Sequence, residues 1–116
     1  MDKRLNNEPI TVQISRTYSA SPAQLFKAWA DEDFRRRWLP GHPIFIRKAN
    51  PDLSMRINWS DNSSNVNLNL VESAGGQCLL ELRHSNLAGQ REAAVLRAFW
   101  AEALDLLDRV IRTGGR

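Results

Sequence analysis

"NVNLNLVESAGGQCLLELRHS", residues 65–85, reads as two strands and the turn between them. Val66, Leu68 and Leu70 alternate with Asn65, Asn67 and Asn69, so one face is apolar and the other carries amides. That alternation is the pattern of a half-buried strand. Gly75-Gly76 can take the backbone angles of a tight hairpin turn. The chain then returns with Cys78, Leu80, Leu82 and His84 on one face. A hairpin with one wet face implies an antiparallel sheet whose dry face must be covered by another element.

The cover lies just downstream. From about Gly89 to Arg112 the chain reads as one amphipathic helix, with Leu96, Trp100, Ala103, Leu104, Leu107, Val110 and Ile111 in its stripe. Asp105–Arg109 and Asp108–Arg112 are i,i+4 pairs in the favourable order. At 1.5 Å per residue the helix is ~35 Å long, enough to cross a small sheet. Upstream, "PIFIRKA" (43–49) and "LSMRINW" (53–59) read as strands, the second with Leu53, Met55, Ile57 and Trp59 in phase. "ITVQISRTY" (10–18) is a further alternating strand. Between them, Ser21, Pro22 and Gln24 form a helix start with a capping box. Asp31 can cap a second short helix, "EDFRRRWL". The expected fold is α+β: a curved antiparallel sheet of about five strands around a long C-terminal helix, the helix-grip arrangement.

Chain length of 116 residues fits one domain, with residues 1–9 and 113–116 expected to be flexible. The net charge is +3, with thirteen acids spread among sixteen cations, which does not point to nucleic acid. The run Arg35-Arg36-Arg37 fans through roughly 200° of a helix. It therefore cannot present one phosphate track, and reads as a solvated face or as an anion or partner contact. Cys78 is the sole cysteine, so no internal disulfide can form, and it reads as a small core residue. His42 and His84 have no metal-binding spacing, and neither metal nor cofactor is expected. "MDKRLNNEP" lacks the apolar core of a secretory leader, and no run approaches a membrane span. The cytoplasm is the expected compartment.

"ISRTYSASPAQLFKAWADEDFRRRWL" resembles the opening of the AHSA1-like (activator of Hsp90 ATPase homologue 1-like) branch of the START/Bet v 1-like, or SRPBCC, superfamily. "CLLELRHSNL" resembles that family's strand ending in histidine, and "FWAEALDLLDRVI" its closing helix. The chain departs from the family where Pro40-Gly41 leads almost directly toward "NPDLSMRINW". A strand pair that helps wall the family's cavity is missing there. Its loss leaves a sheet edge to be covered, and a homodimer is one solution.

The candidate site follows from side-chain parity. A cavity lined by Trp38, Met55, Trp59, His84 and Trp100 could take an apolar molecule, since such pockets are aromatic with few polar anchors. The same tryptophans can equally serve as core. His84 is either a histidine bonded at the core rim or a ligand anchor. Arg16 shares the inward parity of Ile14 and Tyr18 and needs a partner if buried, Glu72 and Glu81 being candidates. The resemblance implies a non-catalytic module binding a small apolar or amphipathic ligand. Its alternative is a protein-interaction or chaperone-associated factor, and the less favoured third is a cyclase or hydrolase, for which no acid–base pair is visible.

Overall fold

The computed structural model describes residues 10–39, 41, 44–59 and 63–114. The expected frayed start (1–9), the Pro40 stop, His42, Pro43 and the final two residues of the expected flexible tail lie outside them.

The order is β1 (Ile10–Tyr18), α1 (Pro22–Ala30), α2 (Glu32–Trp38), β2 (Phe45–Asn50), β3 (Ser54–Asn58), β4 (Asn65–Ser73), a 3-10 turn (Ala74–Gly76), β5 (Gln77–Leu87) and α3 (Gln90–Gly114). The five strands form one antiparallel sheet in the order β1-β5-β4-β3-β2. This is the expected helix-grip arrangement. Gly75 and Gly76 both have φ of 75°, which glycine adopts without a Cβ penalty, so β4 can turn directly into β5.

Local chemistry sets the helix starts. The Ser21 side chain accepts from Gln24 N at 3.1 Å, and the Gln24 side chain accepts from Ser21 N at 2.9 Å. Asp31 accepts from the amides of Asp33 and Phe34 at 2.9 and 3.2 Å. Each cap satisfies helix N–H groups that have no partner within the helix.

Between the sheet and the helices lies one main core, to which α3 contributes Trp100, Ala103, Leu104, Leu107 and Ile111. Leu53 departs from its expected inward phase and is 63% exposed. It sits in the turn between β2 and β3, next to Asp52 with φ of 63°, where the alternation has ended. α3 also runs on to Gly114 rather than stopping at Arg112, with Thr113 Oγ1 donating to Arg109 O at 2.8 Å.

Candidate functional site

His84 is fully buried on β5 and faces Trp100 on α3. The Trp100 indole N–H donates to His84 Nδ1 at 3.0 Å. An indole N–H can only donate, so Nδ1 must be unprotonated and Nε2 carries the ring proton. Nε2 lies 2.8 Å from Oγ of buried Ser64. A serine nucleophile needs a histidine lone pair to take its proton, with a third group accepting from the opposite ring nitrogen. Here the third group donates and the polarity is reversed. His84 in this tautomer supplies a proton toward Ser64 and cannot receive one from it.

The aromatic rings pack directly on one another. Trp59 is 5.3 Å from the His84 ring, 5.2 Å from Trp100 and 5.8 Å from Phe99. Trp29 bridges Trp100 at 5.9 Å and Trp38 at 4.7 Å. Such separations are those of rings in contact. Trp38 Nε1 donates to Ala28 O at 3.0 Å, whereas the buried Trp29 Nε1 has no hydrogen-bond partner.

The structure thus brings Trp59, His84 and Trp100 together, joins Trp38 to them through Trp29, and buries Met55 in the same core. Arg16 stands apart from the ring cluster. It pairs with Asp105 and reaches Ala101 O at 3.3 Å, both on α3, so neither Glu72 nor Glu81 is its partner. Asp105 is thereby turned toward β1 rather than toward Arg109, while Asp108–Arg112 forms as expected. Beside this pair the Tyr18 hydroxyl donates to Leu104 O at 2.9 Å, and burial pushes its phenol well above the ordinary value. Burial likewise raises the Cys78 thiol. Ser64, Trp29 and Phe99 were not among the candidate residues. Trp29 shares the buried side of α1 with Leu25 and Ala28, a helical spacing visible in the sequence, whereas Ser64, directly before β4 in the polar stretch Ser63-Ser64-Asn65, gives no such signal.

The arginine run is occupied by its own helices. Arg35 donates to Trp29 O at 2.5 Å, Arg36 pairs with Glu32 and Asp33, and Arg37 lies 5.8 Å over the Phe34 ring. A depression of about 460 Å³ on the sheet is lined by Gln13, Ser15, Asn67, Asn69, Glu81 and Arg83, among others. Among the described residues no group of His, Cys, Asp and Glu is arranged to hold a metal. No helix among them is long and apolar enough to cross a membrane.

Comparison with known proteins places this architecture. A solved AHSA1-like protein from Rhizobium etli matches with a TM-score of 0.72 and 25% identity over 89% of this chain and 82% of that one. The chain has the AHSA1-like helix-grip fold. A protein named Aha1 from Colwellia psychrerythraea, solved as a dimer, shares the AHSA1-like fold with a TM-score of 0.78 and 17% identity, covering 90% of this chain and 98% of that one. A Mesorhizobium loti protein matches with a TM-score of 0.79, also at 17% identity and with the same coverage. No protein-family model and no curated protein matches the chain by sequence. The AHSA1-like resemblance carried by the strand, helix and histidine motifs is therefore borne out in the fold. The dimeric relative makes a homodimer compatible with it.

Proposed function

We propose that this chain is a non-catalytic binding module that recognises a partner polypeptide on the outer surface at the β2 end of its sheet. The observation that carries this reading is the state of β2 itself. It ends the sheet, and five of its six residues are exposed. A terminal strand leaves a row of backbone N–H and C=O groups that only water or another chain can satisfy. Phe45, at its start, is 66% exposed, and aromatic side chains are enriched at protein interfaces. Trp29, Trp59, His84 and Trp100 pack ring against ring between sheet and α3, which supports a reading that looks outward. The reversed polarity at His84 supports the absence of acid–base chemistry with Ser64.

Amide NMR of labelled protein, titrated with a panel of extended peptides differing in charge, tests this. Saturable shifts are expected in β2 and β3 and, where the segment reaches across the sheet, in β4 and β5. No shift with any peptide, or shifts centred on α1 and α2, would contradict it.

A second reading is favoured by one observation, the buried Trp29 Nε1 without a partner. Buried polar groups are seldom left so. A small planar molecule bearing an acceptor, entering among Trp38, Met55, Trp59, His84 and Trp100, could complete that bond while displacing ring contacts. Arg16, at the edge of the layer between β1 and α3, would then flank the entry rather than touch the rings.

A further inference from the structure

One row of the sheet register carries three cations. Lys48 stands opposite Arg56, Arg56 opposite Asn67, Asn67 opposite Arg83, and Arg83 opposite Gln13. The inward residues of β3 and β5 flanking this row, Met55, Ile57, Leu82 and His84, are buried, so the row lies on the outer face. With strands about 4.8 Å apart it is roughly 19 Å long. Lys48 and Arg56 are like charges set directly across from each other, an arrangement that costs stability. No described residue forms an ion pair with either. Arg83 is steadied by Gln13, whose amide oxygen, turned toward it, accepts at 3.1 and 2.8 Å. Arg47, at the register shift of β2, is also exposed and unpaired. The neighbouring rows hold Asn50, Ser54, Asn69, Glu81 and Ser15 on one side, and Phe45, Asn58, Asn65 and Ser85 on the other. Glu81 is the one acid among them.

We propose that this row is the docking face of an acidic, extended polypeptide segment. The proposal rests on the polypeptide-binding reading above and names the partner's chemistry. The spacing fits. In an extended chain alternate side chains share a face and repeat every ~6.8 Å, so three of them span about 14 Å. Lys48 to Arg83 is three strand separations, also about 14 Å. Carboxylates on such a segment meet Lys48 and Arg83 at its ends and Arg56 between. The amides of Asn67 and Asn69 offer donors to its backbone, and Phe45 flanks the row as an apolar contact.

The test is fluorescence anisotropy with a labelled peptide of about ten residues alternating Glu with Thr, beside its counterpart with Gln for Glu. The Glu peptide binds wild-type protein and weakens with salt. Its affinity falls about tenfold in K48Q/R56Q, and it is unchanged in R91Q, which removes an exposed charge on α3. Equal binding of the Gln peptide overturns the acidic partner while leaving polypeptide binding intact. Failure of both peptides on folded protein overturns the two together. An equal loss in R91Q shows a net-charge effect and overturns the row. Tighter binding of a single-stranded DNA oligomer, lost in K48Q/R56Q, assigns the row to phosphate and overturns it as well.

Discussion

At the scale of single residues, hydrogen-bond direction decides more than residue type. A serine and a histidine in contact suggest nucleophilic chemistry, yet the Trp100 indole N–H fixes the histidine proton on the wrong nitrogen for it. Nitrogen-15 NMR should find His84 protonated at Nε2 and bare at Nδ1. Trp100→Phe should remove the indole donor to buried Nδ1 and destabilise the fold by about 2 kcal/mol in urea unfolding. Trp38 and Trp29, also buried, offer a comparison. Trp38→Phe breaks a bond to Ala28 O and leaves that carbonyl short of a donor, whereas Trp29→Phe removes a group already without a partner. Trp38→Phe should therefore be the costlier change, by about 1 kcal/mol, and equal costs would show that Trp29 is bonded after all. Alternation placed His84 on the inner face, but it could not supply Ser64, because a serine in a polar turn looks like every other turn serine.

At the scale of elements, the contacts between β1 and α3 show how tertiary partners override local pairing. Asp105 and Arg109 have ideal helical spacing, yet Asp105 turns to Arg16 across the layer. Sequence separation of that size leaves no periodic trace, so only the i,i+4 option was legible. Because the Arg16–Asp105 pair is partly exposed, Asp105→Asn should cost under about 1 kcal/mol. Tyr18 sits beside it and is the only tyrosine of the chain, so phenolate absorbance reports it alone. Its folded value is raised, so the unfolded chain ionises first, above about pH 10. Its contribution is complete below that point and is lost as pH rises further. Urea midpoints should drop in this range, the drop should shrink in Tyr18→Phe, and absorbance should show no phenolate before unfolding begins. The α2 arginines teach the same lesson in reverse. Helical geometry correctly argued against a single phosphate track, and the structure adds that each guanidinium has an internal role.

At the scale of the whole molecule, most of the fold was legible because its elements are strongly periodic and well capped. Alternation gave the strands, Ser21 and Asp31 marked both helix starts, and the α3 stripe matched the sheet it covers. The ring-on-ring packing of Trp29, Trp59, His84 and Trp100 was not legible, since the same aromatic residues can line a cavity or close one. Edge behaviour follows from charge. In-register antiparallel pairing of β2 with a second copy sets Arg47 against Lys48 of the other chain, which disfavours self-association through this edge. Lys48→Glu replaces that repulsion with attraction, and sedimentation should detect a larger dimer fraction than in wild type.

The measurement that bears most directly on the central claim follows the four indole N–H signals of Trp29, Trp38, Trp59 and Trp100 by NMR during titration with small planar apolar molecules bearing an acceptor. A module that works through its outer surface keeps all four unmoved at saturating ligand, with its spectrum otherwise well dispersed. A saturable shift of the Trp29 signal, followed by Trp38 and Trp100, would contradict the account and place the binding site inside.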